Sequence, residues 1–244
     1  MKAVILAAGM ASRLRPLTLK TPKCLLNIGS RPLLQRSMDA IISAGISDFV
    51  IVTGYLHGMI EQFVQDTYGD SVTVQFIHND VYDSTNNIYS LWLARQAVDG
   101  EPFMLLDSDL LYDPQIVAQV VGDAADNVLT LIKHPLGEEE MKVVTEDNGS
   151  ILEISKTCSP AAAAGESLGI ERFGAAYSTA LFRELEVMMN SEHLENKFYE
   201  LAFERLIPQG HTFKVLDVTT LFSCELDTVE DFQNAKDNIP SYLF

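Results

Sequence analysis

The chain has few of the residues that mark a disulfide-rich, zinc-binding or nucleic-acid-binding protein. Three of its 244 residues are cysteines, with no close Cys/His spacing, which argues against a disulfide framework and against structural zinc. Basic residues are also scarce, since 17 Lys and Arg stand against 34 Asp and Glu, for a formal net charge of −17. Because phosphate backbones are bound by clustered basic charge, this balance predicts no nucleic-acid partner.

Long apolar runs are missing as well. The longest, 3–8 and 49–52, fall far short of the roughly 18 residues that a membrane span needs. The N-terminal run ends at Gly9 and four basic residues follow at once, which is unlike a secretion signal. We therefore expect a cytoplasmic protein with no membrane association.

Apolar residues are plentiful, at 47% of the chain against 21% charged, so a sizeable core is expected. Strand-like and helix-like patterns alternate through the first half. We expect strands at 3–7, 49–53, 72–77 and 103–106 and helices at 32–44, 56–65 and 86–98. This alternation predicts a doubly wound α/β fold with a mixed, mostly parallel sheet, and ligands outside the carboxyl ends of its strands.

The second half is less regular. Asn148-Gly149 is a strong hairpin signal, and we expect the strands 141–145 and 150–155 to pair around it. Further strands are expected at 128–132, 172–177, 212–216 and 221–224, and helices at 114–121, 179–189, 197–206 and 228–237. No linker separates the halves, so we expect one domain, 1–244, with lobes 1–110 and 111–244.

A motif of small and basic residues follows the first strand. It reads Leu6-Ala7-Ala8-Gly9-Met10-Ala11-Ser12-Arg13-Leu14-Arg15-Pro16-Leu17-Thr18 and continues to Pro22-Lys23. Small residues let backbone N–H groups approach a phosphate, and nearby cations neutralise it. There is no GxxxxGK[ST] and no GxGxxG, so neither a P-loop nor a Rossmann fingerprint applies. On the residues alone, a surface loop with solvated cations is an equal alternative.

The same stretch resembles the signature LAAGxGxR(L/M)xPLTxxxPK of the sugar-phosphate nucleotidyltransferases, with Ala11 where that family usually has glycine. The resemblance extends over essentially the whole chain. It implies a GT-A-like nucleotidyltransferase fold with a smaller acceptor-binding lobe, in which the half 1–110 binds the nucleotide and the half 111–244 binds the acceptor. It also implies that Arg13 and Lys23 contact the triphosphate as catalytic residues. Further nucleotide contacts are expected from Leu6, Ala8, Gly9, Met10, Ala11 and Ser12.

Carboxylates at two later positions suggest a metal site. Asp107 and Asp109 end a predicted core strand, and two carboxylates so close repel each other unless a cation or hydrogen bonds compensate. Oxygen ligands beside phosphate favour Mg²⁺. The resemblance assigns Asp109 and Asp227 to the metal. Alternation along a strand places Glu225 on the same face as Asp227, so Glu225 is expected as a third contributor, and Asp107 is expected among the nucleotide contacts. The alternatives are a plain turn at 107–109 and a helix-capping role for Asp227.

The segment from Asn79 to Leu91 indicates which nucleotide is used. Its ND…NNxYSL pattern resembles the cytidylyltransferases that act on choline phosphate, inositol phosphate or 2-aminoethylphosphonate. Enzymes that use UTP or dTTP usually carry a glycine-rich PEG…GG segment there. The resemblance therefore implies CTP, with contacts from Asn79, Thr85 and Asn86. Asn86 sits at a predicted helix start, so its amide is placed to bind cytosine or, alternatively, to cap the helix.

The acceptor site is the least constrained by sequence. Lys156 matches the family lysine that binds the acceptor's phosphate, although alone it would be an ordinary surface charge. An ammonium group would be bound by aromatic faces and carboxylates. Candidates are Tyr177, Tyr199, Phe203, Glu139, Glu140 and Glu200, and aromatics at this helical spacing also suit a core. Choline enzymes carry a tryptophan near Met141, so its absence here leaves room for a primary amine.

Together these patterns predict a Mg²⁺-dependent cytidylyltransferase that couples CTP to a small phosphorylated or phosphonylated amino-alcohol and releases pyrophosphate. The alternatives are a nucleotidyltransferase acting on sugar 1-phosphates, a glycosyltransferase with a DxD motif, and a nucleotide-binding regulator without turnover. The loop from Arg13 to Lys23 argues against a glycosyltransferase, which has no pyrophosphate to hold. The oligomeric state is left open, with a homodimer as one option.

Overall fold

Thirteen strands and eight α-helices form in residues 1–146 and 148–243, the part of the chain that the computed structural model describes. The strands are β1 (Lys2–Ala7), β2 (Asn27–Ile28), β3 (Arg31–Pro32), β4 (Asp48–Thr53), β5 (Thr73–His78), β6 (Phe103–Asp107), β7 (Leu110–Tyr112), β8 (Val128–Ile132), β9 (Lys142–Thr145), β10 (Ile151–Ser155), β11 (Gly165–Phe173), β12 (Lys214–Asp217) and β13 (Ser223–Glu225). The helices are α1 (Leu33–Ser43), α2 (His57–Tyr68), α3 (Asn87–Leu93), α4 (Arg95–Val98), α5 (Gln115–Gly122), α6 (Ala175–Asn190), α7 (Glu200–Leu206) and α8 (Val229–Asn238).

Nine of the strands make one mixed sheet. Its main path runs β10-β9-β11-β6-β1-β4-β5; β8 branches from β11, and β12 pairs with β8. The strands β6, β1, β4 and β5 run parallel to one another, whereas β11 runs antiparallel to β6 and to β8. The expected mixed α/β sheet is confirmed, with its run of parallel strands in the first half. The carboxyl ends of β1 and β6, which pair directly, therefore lie side by side.

Helices cover both faces of the sheet because the central strands are apolar on both sides. In β1, Val4 and Leu6 pack with α3, α4, α6 and α7, while Ala3 and Ile5 pack with α1, α2 and α5. Burying one such aliphatic side chain contributes roughly 1.5–3 kcal/mol. This doubly wound arrangement fixes the strand ends from which the site residues project. No helix within the described ranges combines the length and the hydropathy that crossing a membrane requires.

Most of the predicted elements are confirmed, including the hairpin, in which β9 and β10 pair antiparallel. The expected helix 86–98 is two helices, α3 and α4, which meet at Ala94. The expected strand 172–177 is wrong in position, since β11 begins at Gly165 and α6 already begins at Ala175. Gly169 has φ +79°, which interrupts the alternation along β11 and hides the strand from a period-two pattern.

Candidate active site

A cleft of about 1030 Å³ opens at the carboxyl ends of β1 and β6 and takes residues from both halves of the chain. Most of the candidate residues line it: Leu6, Ala8, Gly9, Ala11, Arg13, Lys23, Asn79, Thr85, Asn86, Asp107, Asp109, Glu140, Lys156, Glu225 and Asp227. The candidates outside its wall are Met10, Ser12, Tyr177, Glu200 and Phe203. The fold therefore gathers positions that are more than 200 residues apart in the chain.

The loop after β1 is shaped by one strained residue. Ala11 has φ +47° and ψ +53°, the left-handed conformation that costs a residue with a Cβ about 1–2 kcal/mol. Its carbonyl is held by the N–H of Leu14 at 3.0 Å and by the hydroxyl of the fully buried Thr18 at 2.9 Å. The left-handed backbone gives a physical reason why related loops carry glycine at this position. Here tertiary hydrogen bonds keep the loop in the same form despite the extra methyl group.

Two cations of this loop are paired with carboxylates. Lys23 Nζ lies 3.0 Å from Asp109 Oδ2 and 2.8 Å from Asp227 Oδ1, and Arg13 donates a second hydrogen bond to Asp227. Burial alone would lower the pKa of Lys23, but the two carboxylates outweigh it and the pKa is raised. Burial would likewise raise the pKa of Asp227, but Lys23 and Arg13 reverse this and the pKa is lowered. Lys23 is therefore a permanent cation.

Three carboxylates beside Lys23 form a set that could hold a metal ion. Oxygens of Asp109, Glu225 and Asp227 all lie within 4.8 Å of one another. Strand β13 brings the last two here by pairing with β7, so that the N–H of Leu226 bonds to the carbonyl of Asp109 at 3.2 Å. Burial and the charges of its two neighbours raise the pKa of Glu225 to about 8.

One oxygen in this set has no partner. Among the described residues, Asp109 Oδ1 is buried and makes no hydrogen bond. A buried carboxylate oxygen without a partner is costly unless a cation binds it. The carboxylate donors and this free oxygen fit a hard cation such as Mg²⁺. The alternative helix-capping role of Asp227 belongs instead to Thr228, whose hydroxyl accepts from the N–H of Asp231 in a capping box.

The wall contributed by α3 and the segment before it contains polar groups that hold the local structure and others that a ligand could bind. Asn86 Oδ1 caps α3 by accepting from the N–H of Asn87 at 2.7 Å, so the capping alternative describes this oxygen. Asn79 is buried and hydrogen-bonds Thr85 and Ser90, both at 3.2 Å, and thereby positions them. In the described part of the chain, the side-chain amide nitrogens of Asn86 and Asn87, which both line the cleft, make no hydrogen bond and remain for a ligand.

The wall next to the β9–β10 hairpin carries one lysine among several carboxylates. We call this wall the hairpin side, and its residues are His134, Glu139, Glu140, Lys156, Glu166 and Phe198. Lys156 Nζ lies 3.7 Å from Glu139 Oε2 and 4.4 Å from the centre of the Phe198 ring. Glu140 accepts from the N–H of Gly137 at 2.8 Å, and backbone hydrogen bonds lower its pKa. The wall also contains the pair of His134 Nε2 and Glu166 Oε2, 2.6 Å apart. Its overall character is acidic.

The expected aromatic box is not formed by Tyr177 and Phe203. Both side chains are 1% exposed and pack against Phe173 and Phe213 in the core. This corrects the expectation, because their helical spacing serves the apolar faces of α6 and α7. Glu200 is 6% exposed and lies behind the cleft wall, and burial raises its pKa to about 7.

Asp107 differs from the expectation in its neighbours. Its Oδ2 accepts from the Tyr199 hydroxyl at 2.9 Å and abuts Gly169, where a Cβ would lie only 2.8 Å from that oxygen. Both partners belong to the second half of the chain, so the structure ties this carboxylate to the hairpin side rather than to the loop. Burial, with the charges of Asp109, Glu200 and Glu171, raises the pKa of Asp107 well above its usual value.

Sequence reasoning missed several residues of the wall, among them Tyr82, His134, Glu166 and Phe198. Gly54 was also missed, although it follows directly after β4. A Cβ there would lie 2.7 Å from both the Ala8 carbonyl and the Tyr82 side chain, so glycine allows these segments to meet. A glycine at a strand end was a usable signal, whereas Glu166 was hidden by the misplaced start of β11.

A mixed α/β sheet with paired cations and carboxylates at its parallel strand ends is the architecture of an enzyme that transfers nucleotides. The nucleotidyl transferase family model matches residues 2–155, and the chain belongs to this family.

Individual cytidylyltransferases are similar to this chain in sequence or in structure. Residues of the choline-phosphate cytidylyltransferase of Streptococcus pneumoniae strain R6 are 40% identical over 109 positions, covering 45% of this chain and 44% of that protein's length. The CTP:phosphoglutamine cytidylyltransferase of Campylobacter jejuni is 23% identical over 96% of this chain and 98% of its own. A solved structure of the CTP:phosphocholine cytidylyltransferase from Streptococcus pneumoniae superposes with a TM-score of 0.82 at 22% identity, over 98% and 99% of the two chains. The chain thus spans under half of one relative and nearly all of the others.

Proposed function

We propose that the chain is a cytoplasmic cytidylyltransferase that joins CTP to a small phosphorylated or phosphonylated amine and releases pyrophosphate. One observation carries this proposal: a single cleft holds Arg13 and Lys23 beside three carboxylates, and Lys156 on a different wall. Two separate cationic positions suit two anionic substrates, a triphosphate and an acceptor. In this division, residues 1–110 serve the nucleotide and 111–244 the acceptor. The names of the relatives support CTP as the nucleotide.

In the proposed reaction an oxygen of the acceptor's phosphate or phosphonate attacks the α-phosphorus of CTP. The new P–O bond forms as the bond from the α-phosphorus to the bridging oxygen breaks, and pyrophosphate leaves with that electron pair. Lys23 and Arg13 neutralise the charge that accumulates on the leaving group. Lys156 holds the attacking group in place, which lowers the entropic cost of the encounter. Gly9 and Ala11, which lie in the part of the loop that lines the cleft, supply backbone N–H groups around the phosphates.

Asp109 and Asp227, with Glu225, would hold Mg²⁺ in this enzyme. When bound, the ion polarises phosphoryl oxygens and offsets their charge. The unpartnered, buried Asp109 Oδ1 supports this assignment. In the structure, Lys23 pairs with Asp109 Oδ2 and Asp227 Oδ1, and Arg13 pairs with Asp227 Oδ2, so binding of the nucleotide would exchange carboxylate partners of these cations for phosphate partners.

Cytosine recognition rests on the segment before and within α3. The segment from Ser84 to Leu91 contains no glycine, and Asn86 keeps its amide nitrogen free of the cap. Cytosine presents N3 as an acceptor where uracil presents an N–H. An amide donor at this position therefore favours CTP.

The test is pyrophosphate release from CTP, UTP, dTTP and GTP, each with phosphocholine, phosphoethanolamine, 2-aminoethylphosphonate and glucose 1-phosphate. We expect release from CTP with an amine-bearing acceptor. Release chiefly from UTP or dTTP with glucose 1-phosphate would place the chain in the sugar-activating branch. No release from any combination, together with tight nucleotide binding, would indicate a regulator without turnover.

A further inference from the structure

The carboxyl group of Asp107 is backed by two further buried acidic side chains, Glu171 and Glu200. Glu171 is 0% exposed and Glu200 is 6% exposed, and the charges of both act on Asp107. In the described part of the chain, Glu171 Oε2 and Glu200 Oε2 are buried without a hydrogen-bond partner. Asp107 is the member of this group that reaches the cleft. Buried acceptors of this kind are stabilised by a donor that carries positive charge.

The position of Asp107 is set by the fold. Tyr199 donates to its Oδ2 at 2.9 Å, and Gly169 provides the space that any other residue's Cβ would fill. Among the described residues no other group donates a hydrogen bond to the Asp107 side chain, so its second oxygen is available to a ligand in the cleft. The charge of Lys156 acts on Glu200, which lies in the same acidic group. Lys156 and Asp107 are therefore placed to bind neighbouring parts of one acceptor, Lys156 its anionic group and Asp107 a cationic group.

We propose that the acceptor carries a primary ammonium group and that Asp107 binds it, as a residue that determines specificity. This inference rests on the proposed function and names the acceptor's chemical class. A primary ammonium offers three N–H donors to carboxylate oxygens, whereas a trimethylammonium offers none. A quaternary ammonium bound here would shield the carboxylate oxygens from water without donating a hydrogen bond to them, which is energetically unfavourable.

The aromatic residues argue in the same direction. A quaternary ammonium is recognised by several open aromatic faces. Tyr177, Tyr199 and Phe203 are at most 1% exposed, within the core. Phe198 does line the cleft, but the ammonium of Lys156 already lies 4.4 Å from its ring centre. The described hairpin side thus provides carboxylates in place of an aromatic cage.

The experiment compares three acceptors of matched chain length: phosphoethanolamine, phosphocholine and ethyl phosphate. Transfer from CTP is measured as kcat/KM, and CTP binding by calorimetry, for the wild type, Asp107→Asn and the control Asp99→Asn, an exposed carboxylate outside the cleft. The wild type should favour phosphoethanolamine over both other acceptors by at least about tenfold. In Asp107→Asn the ratio of kcat/KM for phosphoethanolamine to kcat/KM for ethyl phosphate should fall to near one. Asp99→Asn should keep the wild-type ratios.

Several results would overturn the inference. Equal or better use of phosphocholine or ethyl phosphate by the wild type refutes it without any variant, while continued CMP transfer leaves the proposed function standing. An equal loss of rate with all three acceptors in a folded Asp107→Asn protein would give Asp107 a different role. Absence of transfer from CTP to every acceptor would refute the proposed function itself. If Asp107→Asn does not fold, Tyr199→Phe, which removes the donor to Asp107 Oδ2, should still reduce the preference.

Discussion

The two walls of the cleft are charged in different ways. On the loop side, formed by residues 8–23 with the three clustered carboxylates, Lys23 and Arg13 are paired with Asp109 and Asp227 before any ligand binds. On the hairpin side, Lys156 lies among an excess of carboxylates, and within residues 1–146 and 148–243 the buried oxygens Glu171 Oε2 and Glu200 Oε2 behind Asp107 have no hydrogen-bond partner. A ligand on the loop side must replace existing ion pairs, whereas a ligand on the hairpin side supplies a missing one. We therefore expect the loop side to govern turnover with every acceptor and the hairpin side to govern which acceptor is chosen.

The largest effect is expected at the carboxylates of the loop side. Asp109→Asn and Asp227→Asn should each remove most of kcat, because one lost ligand plausibly costs several kcal/mol of charge stabilisation. Thermal melts should show that both variants remain folded. Thr228→Ala serves as the comparison, since loss of the α8 cap costs about 1 kcal/mol of stability while most of kcat stays. Near wild-type turnover in Asp227→Asn would contradict the metal assignment.

Substitutions of the two lysines should change different constants, because we expect each lysine to bind a different substrate. Lys23→Ala should weaken CTP binding by about ten- to a hundredfold with every acceptor, the usual effect of losing a hydrogen bond to a charged group. Lys156→Ala should raise the KM of the acceptor and slow transfer while the Kd for CTP stays nearly constant. Calorimetry with CTP and steady-state kinetics measure both. The reverse pattern would mean that the two substrates bind on the opposite walls.

Asn86 should separate base recognition from helix capping. Asn86→Asp keeps an oxygen that can cap α3 but loses the amide donor, so stability should hold while the preference for CTP over UTP falls. We expect that preference to be at least about tenfold in the wild type. Asn86→Ala should lose both the preference and about 1 kcal/mol of stability. An unchanged CTP/UTP ratio in both variants would exclude a contact between Asn86 and the base.

Ala11→Gly should relieve strain on the loop side. Glycine adopts the left-handed conformation without a Cβ penalty, though it also makes the unfolded chain more flexible. The net gain in the free energy of unfolding should be of the order of 1 kcal/mol, with no change on the hairpin side. Chemical denaturation tests this, and a destabilised variant would show that the methyl group packs favourably.

The contribution of an ordinary surface ion pair to stability can be measured at a pair outside the cleft wall. Lys133 Nζ lies 2.7 Å from Asp217 Oδ2, and hydrogen bonds from Lys133 and Thr219 lower the pKa of Asp217 to about 2. Because the folded pKa is below the unfolded value, the pair stabilises the fold above about pH 4 and loses this effect as the pH falls toward 2. The pair is exposed, so the contribution should stay below about 1 kcal/mol. The stability difference between wild type and Asp217→Asn should be constant down to about pH 4 and then shrink; a constant difference down to pH 2 would contradict this.

The two walls also differ in how far the sequence could predict them. The loop motif is contiguous, and an apolar strand precedes it, so the placement of Arg13 and Lys23 followed from local pattern. The hairpin side depends on contacts between distant segments, such as Tyr199 with Asp107, which are 92 residues apart. Helical spacing marked Tyr177 and Phe203 but could not show which face of the helix was buried. The fold class was predictable for a related reason, because a parallel strand that is buried on both faces is a continuous apolar run in the sequence. Strand β11 has no such run, and its positive-φ Gly169 interrupts the alternation that would otherwise mark it.

The central claim is that CMP is transferred onto a phosphorylated or phosphonylated amine. Phosphorus NMR on a mixture of the enzyme, CTP, Mg²⁺ and 2-aminoethylphosphonate tests it directly, with phosphoethanolamine and phosphocholine in parallel samples. We expect a new anhydride between CMP and an acceptor, together with one equivalent of pyrophosphate. Intact CTP and unchanged acceptors in all three samples, from a folded protein that binds CTP, would contradict it.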